Sequence, residues 1–140
     1  PAKALREPEA PAGERTRIKL LLVEDNRDTL TMLAESLARL EYQVVPAESA
    51  EAALDILARE SVDVILADID LPGMNGYEFL RKARGLPSAA HALPVALTGF
   101  GQENDVRRAR EAGYADHVVK PVDAGELDQR IRSHLPLIAG

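Results

Sequence analysis

The chain has 140 residues, 46% hydrophobic, 29% charged and only 4% aromatic, with no Trp and no Cys. That length suits one domain with an aliphatic core, and it leaves out disulfides, thiolate chemistry and any apolar run near the roughly 20 residues of a membrane span. A formal charge of −6 speaks against nucleic acid, whose binding needs a basic face. No signal peptide is visible, and a cytoplasmic location is expected.

Residues 1–17 are rich in Pro, Ala, Glu and Arg and lack apolar periodicity. They are expected to be a linker, disordered at least in part, ahead of a single domain over 18–140. Residues 18–23 are a short aliphatic run that fits a buried strand. Leu30, Leu33, Ala34, Leu37 and Leu40 recur at helical spacing. Residues 42–45 read as a second strand. Ser49 is the expected N-cap of a helix that turns Ala50, Ala53, Leu54 and Leu57 inward. Residues 62–67 form the third predicted strand, and Gly76–Ala83 a short helix stopped by Gly85 and Pro87. A fourth strand is predicted over 94–97. The helix predicted over 102–112 has a thin apolar face, Val106 and Ala109, and ends at Gly113. Asp116–Val119 is the fifth strand. Asp123 and Glu126 show a capping-box pattern before a helix carrying Leu127, Ile131 and Leu135. Five strands alternating with helices predict an α/β fold: a doubly wound (βα)5 domain, its sheet parallel and covered on both faces.

In such a sheet the strand ends share one rim, and ligands bind there. Glu24 and Asp25 end the first strand; adjacent carboxylates repel, and a divalent cation would offset that. Mg²⁺ suits an oxygen-only site, while the plain alternative is an exposed acidic turn. Asp68 ends the third strand, ahead of Pro72 and Gly73. It reads as a nucleophilic carboxylate that becomes an acyl phosphate, or as a turn former. Asp70, two residues on, offers a backbone carbonyl to a metal. Thr98 ends the fourth strand with a hydroxyl for a phosphoryl oxygen. Lys120 ends the fifth with a point charge, and Pro121 biases it toward extended geometry. The set suits phosphoryl transfer to a carboxylate with a divalent metal. Arg107, Arg108 and Arg110 alternate with Glu103, Asp105 and Glu111, which predicts a solvated, ion-paired helix face. His91 and His134 match no metal spacing.

Glu24-Asp25, Asp68 to Gly76 (Asp-Ile-Asp-Leu-Pro-Gly-Met-Asn-Gly), Thr98-Gly99 and Lys120-Pro121 fall in order at the ends of strands one, three, four and five. In this the chain resembles the receiver domain of two-component response regulators, over about residues 18–135. The resemblance implies a flavodoxin-like (CheY-like) five-stranded sheet of order 2-1-3-4-5. It implies a phosphoacceptor at Asp68, loaded from phosphohistidine, and Mg²⁺, with Mn²⁺ as its substitute, on Asp25, Asp68 and the Asp70 carbonyl. Glu24 would act on the metal indirectly, and Thr98 and Lys120 would hold the phosphoryl oxygens. Such a domain is not an enzyme beyond its own phosphorylation and dephosphorylation. Its partner is a histidine kinase or a histidine phosphotransfer domain, with no nucleic acid and no membrane contact. Residues 96–102 and 117–123 look most like receivers fused to hybrid histidine kinases, and a start at Pro1 fits excision from one; a stand-alone regulator is the other form.

The family often carries Tyr or Phe where this chain has His117, so the imidazole is either a switch residue or a surface histidine. Asp70 and Phe100 lie two residues beyond Asp68 and Thr98, and are expected at the cleft mouth, where they would set the lifetime of the phosphoryl group. Two rival readings remain. Asp68-Ile69-Asp70 resembles the Asp-x-Asp of haloacid-dehalogenase-like phosphatases, although here it ends the third strand and follows an acid pair. A phosphorylation-independent interaction domain would keep the fold without the chemistry.

Overall fold

The computed structural model describes residues 17–99 and 103–134. The expected linker up to residue 16, Phe100 and Leu135 lie outside the described residues. In chain order the elements are β1 (Lys19–Val23), α1 (Arg27–Arg39), β2 (Gln43–Ala47), α2 (Ala50–Leu57), β3 (Val64–Asp68), α3 (Gly76–Ala83), a 3-10 turn (Pro87–Ala89), β4 (Leu93–Thr98), α4 (Glu103–Ala112), β5 (Asp116–Val119) and α5 (Ala124–Ser133). All strand pairs are parallel and the sheet order is β2-β1-β3-β4-β5, as the resemblance implies. Among the described residues no helix is long and apolar enough to cross a membrane.

The three central strands are near-continuous apolar runs because both faces of the sheet are covered. Every residue of β3 and β4 is buried. Alternate residues serve opposite cores. Leu21, Val23, Ile65, Ala67 and Ala96 pack toward α2, α3 and α4, where Ala53, Leu57, Phe79 and Leu80 meet them. Leu20, Leu22, Leu66, Val95 and Leu97 pack toward α1 and α5, against Leu33, Leu37, Leu127 and Ile131.

The strands differ from their predicted spans at the ends. β2 runs through Pro46 to Ala47, since an edge strand tolerates a missing N–H. β3 and β4 extend to Asp68 and Thr98 themselves. Ser49 caps α2 as expected, accepting from the Ala52 N–H at 3.0 Å. Asn26, which the sequence reading does not single out, caps α1 through the Thr29 N–H at 2.9 Å. Asp123 caps α5, but Glu126 pairs with Arg130 at 3.6 Å and closes no capping box. The reciprocal box is at α3, where Asn75 accepts from the Glu78 N–H and Glu78 from the Asn75 N–H.

That box begins α3 hard against the end of β3. Gly73, at φ +74°, turns the chain back, and the Gly76 N–H donates to the Ile69 carbonyl at 3.1 Å. A Cβ on Gly76 would stand 2.6 Å from the Asp68 carbonyl oxygen and from the Ile69 Cα. Both are backbone atoms, so relief would require moving the Asp68 strand end itself. Gly76→Ala is therefore expected to lower stability by about 2 kcal/mol or more, at the upper part of the overpacking range. Gly85→Ala serves as the control, because its Cβ would meet only the Lys82 carbonyl, at 3.5 Å. Urea unfolding should show a clear drop in midpoint for the first variant and almost none for the second; equal drops would contradict the wedge.

Candidate functional site

Strand register brings the chemistry to one rim. Val23 pairs with Ala67, Asp68 with Leu97, and Thr98 with Val119, so the residue after β1 lies level with Asp68, Thr98 lies one residue further along, and Lys120 comes just past β5. Backbone bonds fix each position. The Glu24 N–H donates to the Ala47 carbonyl at 3.0 Å, which carries the ladder one residue past β1. The Lys120 N–H donates to the Thr98 carbonyl at 2.8 Å, and the Lys120–Pro121 peptide is cis.

The side chains then converge. Lys120 Nζ donates to Asp68 Oδ2 at 2.5 Å and lies 3.1 Å from Glu24 Oε1. The other Asp68 oxygen, Oδ1, accepts from the Asp70 N–H at 2.9 Å. Glu24 Oε2 accepts from the Asn26 N–H at 3.0 Å. Carboxylate oxygens of Glu24, Asp25 and Asp68 lie within 4.8 Å of one another. Glu24 and Asp68 are only 1% and 3% exposed, whereas Asp25 and Asp70 face solvent.

Burial raises the pKa of Glu24, the charge of Asp68 adds to this, and the Asn26 N–H and Lys120 oppose it. For Lys120, burial alone would lower the pKa; the bond to Asp68 and the charges of Asp68 and Glu24 outweigh it and raise the ammonium's pKa. Asp70 is raised by partial burial, then by the charges of Asp68 and Asp105.

The set is short of positive charge and of acceptors. One ammonium faces three carboxylates. Thr98 Oγ1 is buried with no hydrogen-bond partner, a condition that normally costs about 1–3 kcal/mol, and Glu24 Oε1 has only the shared Lys120 ammonium, 3.1 Å away. A divalent cation fits the need of the carboxylates, and an oxyanion fits the Thr98 hydroxyl and Lys120 ammonium.

Glu24, Asp25, Asp68, Asp70, Thr98 and Lys120 thus lie together where the sequence predicts. His117 does not join them: it faces α4 and lines a cavity of about 100 Å³ with Val106, Ala109 and Tyr114. Phe100 lies outside the described residues. The arginines of α4 differ from expectation. Among the described residues they form no ion pair with Asp105 or Glu111; Arg107 donates to Asn104 at 2.9 Å and Arg108 stacks over the Tyr77 ring at 4.3 Å. Tyr77 and Asn26 are contacts that no local pattern singled out, although Asn ahead of a helix is itself a capping signal.

A family model described as the response regulator receiver domain matches residues 20–132. A probable cyclic di-GMP phosphodiesterase of Vibrio cholerae is 34% identical over 116 residues, covering 83% of this chain and 26% of that protein. Virulence sensor protein BvgS of Bordetella bronchiseptica is 32% identical over 126 residues, 86% of this chain and 10% of that protein. The chain thus spans only a small part of either relative. Among solved structures, the receiver domain of sensor histidine kinase PA1611 from Pseudomonas aeruginosa PAO1, with a magnesium ion coordinated in its active-site cleft, superposes with a TM-score of 0.78. It is 28% identical and covers 89% of this chain and all of that one. The family match decides against the haloacid-dehalogenase-like reading.

Lys120 is the counter-charge to two buried carboxylates, so Lys120→Ala should destabilise the metal-free protein at neutral pH. Removing one partner of a buried pair costs about 3–5 kcal/mol, and partial exposure of Lys120 reduces this to about 1–3 kcal/mol. The sign follows from the carboxylates. Without the ammonium the pKa of Glu24, already raised by burial, rises further in the folded protein, so the deficit is full above the carboxylate range and shrinks as acid protonates Glu24. Melting curves of both proteins at pH 8 and pH 5 in chelator check this; an equal deficit at both would contradict it.

Proposed function

The chain belongs to the response regulator receiver family, a phosphoacceptor domain of two-component phosphorelays, and on that premise we propose that Asp68 is its phosphoacceptor. The observation that carries the reading is the setting of this one carboxylate. Asp68 is buried at a central strand end, with one oxygen on Lys120 and the other on the Asp70 N–H. It is thereby held and oriented before any donor arrives, and positioning is most of what phosphoryl transfer asks of a protein.

In the proposed step an Asp68 oxygen attacks the phosphorus of a phosphohistidine. A P–O bond forms, the P–N bond breaks, and the histidine leaves as imidazole after taking a proton. Lys120 shifts part of its donation to the transferred phosphoryl group, and the partnerless Thr98 hydroxyl donates to another of its oxygens. Asp25, Asp68 and the Asp70 carbonyl would hold Mg²⁺ or Mn²⁺, with Glu24 acting through its water; the ion supplies charge neutralisation at the phosphoryl oxygens. The magnesium in the cleft of the Pseudomonas receiver supports the same ion here. Moving Lys120 and Thr98 onto the phosphoryl group favours a second, pre-existing arrangement of the partner surface. The donor is a histidine kinase or histidine phosphotransfer domain in the cytoplasm. Residues 18–140 form the receiver, residues 1–17 tether it, and the parent is a hybrid kinase or a free-standing regulator. Asp70, at the mouth, and Phe100 set how long the acyl phosphate survives.

Intact-mass measurement after incubation with acetyl phosphate and Mg²⁺ tests the assignment. Wild type should gain one phosphoryl group, lose that gain in chelator, and Asp68→Asn should gain none. Thr98→Ala should still load, about tenfold more slowly, since one donor to a charged phosphoryl oxygen is worth roughly 1.4 kcal/mol. Full loading of Asp68→Asn at the wild-type rate would overturn the assignment.

A further inference from the structure

Gly76 lies closer to the Asp68 strand than a residue with a Cβ could, since that atom would stand 2.6 Å from the Asp68 carbonyl oxygen and the Ile69 Cα. Glycine's backbone is also the least restricted, so its place depends on bonds from its neighbours. Two such bonds grip it. Its N–H donates to the Ile69 carbonyl at 3.1 Å, and its carbonyl accepts from the Tyr114 hydroxyl at 2.8 Å. The first bond closes the turn after β3 onto itself. The second comes from 38 residues further along, in the link between α4 and β5.

Tyr114 has the form of a strut. It is 4% exposed and belongs to the same core layer as Phe79 and Leu80 of α3. Its own N–H donates to the Ala109 carbonyl at 2.9 Å, and the next N–H, of Ala115, donates to the Pro94 carbonyl of β4 at 2.9 Å. A phenol is protonated at neutral pH, and toward a carbonyl it can only donate. The ring therefore connects a fixed point beside β4 to the first residue of α3. Packing alone does not call for tyrosine here, because phenylalanine would fill the same core with no hydroxyl to satisfy.

Between Ile69 and Gly76 lies the turn that serves the cleft. The Asp70 N–H within it donates to Asp68 Oδ1 at 2.9 Å, and the Asp70 carbonyl is one of the proposed metal ligands. Mg²⁺ demands near-ideal octahedral geometry, so a small displacement of one ligand weakens it. We propose that Tyr114 is a positioning residue for the cleft: its hydroxyl anchors Gly76 and thereby sets the turn that presents Asp70 to Asp68 and to the metal. This rests on the metal and phosphoacceptor reading above. Tyr114 touches no reacting atom and acts only through the backbone of the turn.

Tyr114→Phe in the full chain removes the hydroxyl and keeps the ring, and NMR reads two consequences. In chelator, the Gly76 amide should exchange with solvent about tenfold faster than in wild type, and accelerate more than the amides of β1, which report opening of the whole domain. On titration with Mg²⁺, followed at the amides of residues 24, 25 and 68–70, the dissociation constant should rise about fivefold, or about 1 kcal/mol, the worth of one hydrogen bond. Ile131→Val is the control. It thins the opposite core layer and lowers stability, which leaves the affinity of the folded protein unchanged. Gly76 exchange within about twofold of wild type, or no faster than the change at β1, would overturn the strut. So would a Tyr114→Phe dissociation constant within about twofold of wild type, or an equal rise in Ile131→Val. A wild type that binds no Mg²⁺ overturns the metal reading, and the Gly76 exchange in chelator then decides the strut by itself.

Discussion

Everything at this rim follows from holding three carboxylates against one ammonium. Burying an ion costs several kcal/mol unless a counter-charge and hydrogen bonds replace its water. Glu24 and Asp68 are both buried, and Lys120 is the cation they share. The pair is stable enough to fold and remains under-neutralised. An added cation or phosphoryl group therefore has something to gain by entering, and the Thr98 hydroxyl has a partner to gain as well.

Such an arrangement persists only on a stiff support. The two apolar layers grip the central strands from both sides, and backbone bonds set the strand ends where the charges emerge. Gly76 lets α3 close on the Asp68 strand with no side chain between them. The periphery is different. α4 contributes mainly alanines to the core and depends on polar ties from Tyr77, Tyr114 and Arg84.

Much of this was legible in the sequence because a parallel sheet turns chain order into spatial order. Aliphatic runs ending in Asp68 and Thr98 mark β3 and β4, and parallel pairing then brings their ends together without further information. The sequence treats Glu24 and Asp25 as one acidic pair, yet the former is buried and the latter exposed. The ladder continues one residue past β1 and keeps the strand's alternation, which a sequence pattern does not reveal. Asn75–Glu78 and Asp123–Glu126 share one capping pattern, and only the first closes, since Arg130, four residues on in the same helix, takes Glu126. Tyr77 and Asp105 are 28 residues apart, and no local periodicity joins them. The arginines of α4 read as an ion-paired face for the same reason: stacking of Arg108 on Tyr77 depends on where α3 lies.

The central claim is that one carboxylate, that of Asp68, takes the phosphoryl group. Borohydride reduction of the loaded protein converts an aspartyl phosphate to homoserine, and peptide mass mapping then locates it. The account predicts homoserine at position 68 and at no other aspartate. Homoserine at Asp25 or Asp70, or an unreduced chain that nevertheless carries the phosphoryl mass, would contradict it.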